Sequence, residues 1–209
     1  MGRRIKEPAD VHRAHIAAAA GRLFLERGIE ATKMDDIAKE AGYSKATLYV
    51  YFQNKEEIVG VLALESMKKL YDFLRAALDD HAGTRPRYDG VCHALLRYQE
   101  TYPFYFDAAL EAIRFGPDCL PVEQETFLVG EQINHLLAGF LRSGMEVGDI
   151  RPVPVLPTVF AFWGMLSGLL RMAENKRAYI EEVLGLSKDS FLALGFDTLY
   201  HSISSEVKS

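Results

Sequence analysis

The 209-residue sequence predicts an all-α protein, an N-terminal three-helix unit followed by a larger helical body. Three observations carry that expectation. Apolar residues recur at three-to-four spacing in almost every stretch between turn signals, and β-branched alternation is absent. Ser, Thr and Asn stand where helices would start, and Gly or Pro where they would stop. A composition of 49% hydrophobic and 25% charged residues suits an ordinary folded core with a wet surface.

The first helix is expected from about Ala9 to Arg27, with Ile16, Ala20, Leu23 and Phe24 on one face and Gly28 as its stop. Thr32-Lys33-Met34-Asp35 has the Ser/Thr-x-x-acid form of a helix start, so a second helix follows from Met34 to Ala41 with Thr32 as its cap. Gly42 and Tyr43 then turn the chain. Ser44 caps a third helix, and Asn54 caps a long fourth one, with Glu57 at its third position, reaching about Leu78. HAGTRPRYDG reads as a surface loop. Further helices are expected at about 87–101, 103–115, 121–144, 157–175 and 188–206, with a short helical or irregular piece near 177–186. The domain boundary falls at residue 55, giving domains 1–55 and 56–209.

Charge divides the chain in the same place. The net charge is −5, yet residues 1–55 hold ten Lys/Arg against seven Asp/Glu, leaving fourteen against twenty-two for the remainder. Nucleic-acid binding would therefore rest on a local patch at the N-terminal end. Cys92 and Cys119 are the only cysteines and form no CxxC, which favours two buried thiols in a reducing cytoplasm over a disulfide framework or zinc site. Arg13, His15 and Arg22 interrupt the alanine run near the N-terminus, which excludes a secretory signal. The uncharged stretch between Arg151 and Arg171 is broken by Pro152, Pro154 and Pro157. What remains is too short to cross a membrane and reads as a buried helix.

Residues 41–57, AGYSKATLYVYFQNKEE, crowd hydroxyls and aromatic rings onto two turns of helix. Two short helices joined by a glycine turn form a helix-turn-helix, whose second helix enters the DNA major groove. At about 100° per residue, Leu48 and Phe52 share a face that would pack on Ile37 and Leu23. Lys45, Ala46 and Tyr49 occupy the opposite arc, with Thr47 and Tyr51 at its other edge. From Ser44 to Tyr51 the rod is about 12 Å long, matched to a major groove of similar width. Lys45 can donate to guanine, Ala46 permits close approach to a thymine methyl, and Tyr49 can stack or hydrogen-bond. Thr47, Tyr51 and Lys55 suit phosphate contacts, and Thr32 and Lys33 suit a clamp from the second helix. The bland alternative is that Tyr49 and Tyr51 are packing residues and Lys45 a solvated charge.

With Phe24, Gly28, Thr32, Met34-Asp-Asp-Ile-Ala38, Ala41-Gly-Tyr-Ser44, Thr47-Leu-Tyr49, Tyr51-Phe52 and Asn54-Lys-Glu56, residues of about 14–60 resemble the DNA-binding domain of TetR-family transcriptional regulators. The resemblance implies a homodimer whose reading helices contact a palindromic operator, usually as a repressor, and a C-terminal helical domain that binds a small effector and releases DNA. It implies phosphate contacts from Thr32, Thr47, Tyr49, Tyr51 and Lys55 and base contacts from Lys45 and Ala46. Tyr43 and Ala46 depart from the residues common in the family, valine and glycine, which leaves the fold intact and bears on base preference; Tyr43 and Ser44 at the turn also belong to the candidate DNA interface. Arg3, Arg4 and Lys6 precede the first helix and suit a minor-groove arm or a solvated tail equally well.

The acidic half resembles the family only through Gly148-Asp-Ile-Arg151 and Trp163-Gly-Met-Leu-Ser-Gly168-Leu. Gly164, Ser167 and Gly168 flatten one helix face, and Phe191, Gly195 and Leu199 repeat at matching spacing on the last helix. The family's pairing of these two helices implies the dimer interface, with an intrachain core as the alternative. Tyr98, Tyr102, Phe106 and Phe115, with Phe127, His135, Phe162 and Trp163, are expected to line an apolar pocket for a hydrophobic or aromatic effector. His93, Arg97, Glu111 and Arg114 are further polar candidates. No catalytic motif is present: GxSxG, P-loop, HExxH and dinucleotide-binding turns are all missing, so neither an enzyme nor a cofactor is expected. His12-x-x-His15 lacks a third ligand and implies no metal. A helical lipid or small-molecule carrier that leaves its helix-turn-helix unused is the rival reading.

Overall fold

The computed structural model describes residues 8–108, 110, 116 and 118–205. Its helices are α1 (Ala9–Arg27), α2 (Met34–Glu40), α3 (Lys45–Tyr51), α4 (Lys55–Asp79), α5 (Thr84–Thr101), α6 (Pro103–Ala108), α7 (Pro121–Glu146), α8 (Val155–Asn175), α9 (Arg177–Glu182) and α10 (Lys188–Ile203). The fold is all-α, and among the described residues the only β pairing is an isolated bridge between Ile150 and Ser204. The expected helices 103–115 and 188–206 run partly into positions outside the described residues. The chain forms two compact units, one from residues up to Lys68 together with Tyr102–Leu128, the other from Lys69–Thr101 and Val129 onward.

In the first unit, local chemistry sets each helix end. Gly28 leaves α1 at φ 81° and returns its N–H to the Phe24 carbonyl. The start of α2 differs from the sequence expectation. Lys33 is the N-cap residue, its N–H bonded to the Asp36 carboxylate, while the Thr32 hydroxyl donates instead to the Gly28 carbonyl at 2.8 Å. Thr32 is buried and braces the turn. Gly42, at φ 72°, supplies the left-handed residue between α2 and α3. Ser44 caps α3 by accepting from the Thr47 N–H, and Asn54 caps α4 by accepting from the Glu57 N–H while Glu57 reaches back to the Gln53 N–H. The core beneath these helices joins Ile16, Ala20, Leu23 and Phe24 of α1 to Ile37, Leu48, Phe52, Ile58 and Leu62, all buried. Each fully buried aliphatic side chain here stabilises the unit by about 1.5–3 kcal/mol over an exposed one.

The second unit holds the later part of α4, α5, most of α7, and α8 to α10. Its α5 begins at Thr84, so TRPRYDG is helical rather than looped. Pro86 sits in the first turn, where its missing N–H costs nothing. The same rule lets α8 begin at Val155 with Pro157 inside its opening turn. This helix is long and apolar enough to cross a membrane by length and composition, yet only 22% of its apolar window is buried. That corrects the expectation of a buried helix: in one chain, one face of α8 is largely uncovered. Gly144 lets the α7 end meet the following turn, since a Cβ there would lie 2.5 Å from Ile150 Cδ1. The turn is fastened to the end of α10 by the Arg151 N–H on the Ile203 carbonyl and the Ser205 N–H on the Asp149 carbonyl, both 2.9 Å.

Candidate functional site

In the helix-turn-helix, Leu48 and Phe52 are buried while Lys45, Ala46 and Tyr49 are exposed, Tyr49 to 44%. Burial of the first pair is what turns the second set outward, because seven residues make only two turns. Lys45 does not stand free. Its Nζ lies 2.8 Å from the Asp35 carboxylate, and that hydrogen bond and charge raise its pKa above the ordinary lysine value. The pair thus holds this cation against α2.

The neighbouring candidates are placed less uniformly. Thr47 is half-buried and shares a 2.8 Å hydrogen bond with the Ser44 hydroxyl; Lys33 is exposed. Tyr43 and Tyr51 are half-buried, and the ring of His12 lies against both. Lys55 is half-buried, with Nζ donating to the carbonyls of Ile29 at 2.6 Å and Thr32 at 3.2 Å, so it ties down the turn before α2. Arg13 donates to the Tyr51 carbonyl, and its guanidinium lies 4.2 Å from the centre of the Phe52 ring. Sequence reasoning did not single out Arg13 for this role. Its position one residue after His12 on a helix end carries no local signal for a partner at Tyr51.

The second unit contains an apolar cavity lined by Leu74, Tyr88, Val91, Leu95, Leu137, Phe140, Leu141, Val159, Phe162, Trp163, Leu166 and Ile203. Its volume is about 40 Å³. Apart from the Trp163 indole N–H, the Tyr88 hydroxyl is the one polar side-chain group of the lining, and it donates to the Phe196 carbonyl at 2.9 Å. Burial raises the Tyr88 pKa, and burial pushes the Cys92 thiol behind it up to about 12.

Of the expected effector contacts, Phe162 and Trp163 line this cavity. Tyr98 is fully buried with its ring edge against Phe73, outside the lining. Tyr102, Phe106 and Phe127 belong to the first unit, where Tyr102 stacks on Tyr105 and Phe106 is buried. His135 and His93 are exposed, and each bonds a carbonyl of its own helix. Phe115, Glu111 and Arg114 lie outside the described residues. Tyr88, Leu137 and Phe140 were missed because an apolar heptad looks the same whether it faces a void or a neighbour.

A groove along α8 and α10 is lined by Met165, Gly168, Leu169, Met172, Phe191, Leu194, Gly195, Thr198 and Leu199. Gly164 and Gly168 face open space, whereas Ser167 is buried. Gly195 is where α10 meets α8 of the same chain, since a Cβ there would lie 2.5 Å from Leu169 Cδ2.

A capped, solvent-facing helix on a helix-turn-helix core is the arrangement that DNA-binding regulators use. Residues 16–62 match the family described as bacterial regulatory proteins, tetR family. The HTH-type transcriptional regulator TtgR of Pseudomonas putida is 40% identical over 183 residues, which cover 82% of this chain and 84% of TtgR. The HTH-type transcriptional repressor KstR2 of Mycobacterium tuberculosis is 26% identical over 196 residues, 87% of this chain and 96% of KstR2. A solved structure of AibR in complex with isovaleryl coenzyme A and operator DNA shares the fold, with TM-score 0.69, 20% identity, and coverage of 90% of this chain and 98% of that one. The chain belongs to the TetR family of transcriptional regulators; it is a regulator and not an enzyme.

Proposed function

We propose that the chain is a ligand-responsive repressor that binds a palindromic operator as a homodimer and is released by a hydrophobic or aromatic small molecule. The observation that carries this reading is the split of α3: Leu48 and Phe52 buried, Lys45, Ala46 and Tyr49 exposed on a single arc. In it residues 1–55 read DNA, in the cytoplasm, and residues 56–209 bind effector and dimerise. Lys45 and Ala46 meet base edges, with Tyr49, Thr47, Tyr51 and the N-cap turn at Ser44 on phosphates. Lys55 and Thr32 act chiefly by holding the loop that presents Lys33.

An apolar effector is favoured because the cavity's one hydroxyl is already donated, so a charge placed there would stay unpaired. Drug-sized ligands need about 300–1,000 Å³, so the lining side chains must part to admit one. A homodimer through α8 and α10 is supported by Phe160 at 63% exposure and Leu194 at 60%, apolar surface that a second copy would cover. This also accounts for an apolar α8 without a membrane. Helix α4 supplies Ile58 and Leu62 to the head core and Leu74 to the cavity lining. Effector binding would bias the spacing of the two heads through it, away from about 34 Å or a multiple, with coupling of about 1–3 kcal/mol.

The test begins with duplexes selected from a randomised pool by the purified chain. A palindromic consensus, bound by a dimer and released by an apolar compound that changes Trp163 fluorescence, is the expected result; Trp163 is the only tryptophan. Failure to enrich any sequence would overturn the reading.

A further inference from the structure

We infer that His12 is a positioning residue for operator binding, holding both ends of the reading helix from a single point on α1. The inference rests on the proposed DNA-reading role of α3. Tyr43 immediately precedes the Ser44 cap of that helix, and Tyr51 is its last residue. His12 Nδ1 and the Tyr43 hydroxyl share a 2.7 Å hydrogen bond. The same imidazole lies over Tyr51, with ring centres 5.2 Å apart and planes inclined by 34°. The two tyrosine rings also meet each other edge to face at 6.5 Å, and His15 meets Tyr43 at 5.8 Å. One residue on, Arg13 donates to the Tyr51 carbonyl, so the C-terminal end of α3 is held through main chain and ring together.

Within the seven residues of α3 Leu48 is the one buried side chain, with Phe52 at the C-cap and Lys45 on Asp35 as further anchors, so an added contact at both helix ends limits its roll about the axis. Roll matters more than displacement here. Lys45, Ala46 and Tyr49 share one arc, and a rotation of about 20°, a fifth of the roughly 100° between successive residues, moves all three together against the bases. The His12–Tyr43–Tyr51 contact borders the Leu48 face, with Tyr51 about 60° round the helix from Leu48, and opposes that rotation. It also gives His12-x-x-His15 a role: the pair is spaced for one helix face, and both rings meet tyrosine rings.

The experiment is a double-mutant cycle on a duplex selected from a randomised pool by the wild-type chain, read by fluorescence anisotropy. His12→Ala removes hydrogen bond and ring; His12→Asn retains a polar atom near the Nδ1 position; Tyr43→Phe removes only the hydroxyl. The expected result is a three- to tenfold loss of operator affinity for His12→Ala, the worth of about one net hydrogen bond. His12→Asn should recover the hydrogen-bond part of it, and in the Tyr43→Phe background His12→Ala should cost less than in wild type, leaving the Tyr51 ring contact as the remainder. Melting temperature of the free protein serves as the second readout: loss of about one net hydrogen bond should lower it by about 2–8 °C, and affinities are compared well below that transition so that the binding loss is read on folded protein. Independent, multiplying losses, or affinity unchanged by His12→Ala, would overturn the inference. Lys45→Ala separates that failure from failure of the regulator reading: if Lys45→Ala weakens binding while His12→Ala does not, α3 reads DNA without help from His12. If the wild-type chain selects no duplex, both fall.

Discussion

Replacing Ser44 separates the folding role of this residue from its place against DNA. Its Oγ accepts from the Thr47 N–H at 3.1 Å and lies 2.8 Å from the Thr47 hydroxyl, so it satisfies one of the orphan N–H groups of a helix only seven residues long. Ser44→Ala should cost about 1 kcal/mol, within the usual span of about 0.5–2 for losing a serine cap, and Ser44→Gly only a few tenths. That is about 2–4 °C of melting temperature if the chain unfolds as a whole, or about 4–8 °C if the head melts alone. Ser44→Asp caps as well as serine and suits the positive end of the helix, so its melting temperature should match or exceed wild type. The same carboxylate would face the DNA backbone, and operator affinity should fall at least about tenfold at low salt, less at high salt where repulsion is screened. Far-UV circular dichroism gives the first quantity and anisotropy of a labelled operator the second. An unchanged melting temperature for Ser44→Ala, or wild-type affinity for Ser44→Asp, would refute the reasoning.

Other substitutions probe the remaining parts. Asp35→Asn releases Lys45 from its 2.8 Å partner and removes a negative charge beside it. Affinity for operator and unrelated duplex alike should rise about two- to fivefold at low salt, in titrations over a range of ionic strength. Leu194→Glu places a charge on the exposed α8–α10 face and should give a folded monomer by sedimentation, with weaker operator binding at equal protomer concentration. Glu174 is held below its ordinary 4.5 chiefly by its hydrogen bond from Lys188, whose side chain is only 13% exposed. A depressed carboxylate contributes stability above its unfolded value and loses it as pH falls through the folded one. Acid denaturation should therefore steepen below about pH 4.5, and Lys188→Met should flatten that limb of the melting-temperature profile.

The sequence alone determined the helices, the turn glycines, the Ser44 and Asn54 caps and the inward Leu48–Phe52 pair. Each depends on groups within four residues of one another, and the 3.6-residue period carries that information along the chain. Where it failed locally, at Thr32, a backbone carbonyl four residues back competed successfully with the cap position. At Thr84 to Gly90 a helix absorbed Pro86 in its first turn, where turn composition alone suggested a loop. Tertiary structure decided the rest. Periodicity states which face of a helix is apolar but not what that face meets, so only packing could send Tyr98 into the core, Phe162 and Trp163 to a cavity, and Met165 to the outer groove. It also set Lys55 against carbonyls twenty-three and twenty-six residues away and brought His12 to Tyr43 across thirty-one. Contacts at such separations arise from the docking of whole helices, and no local pattern encodes them.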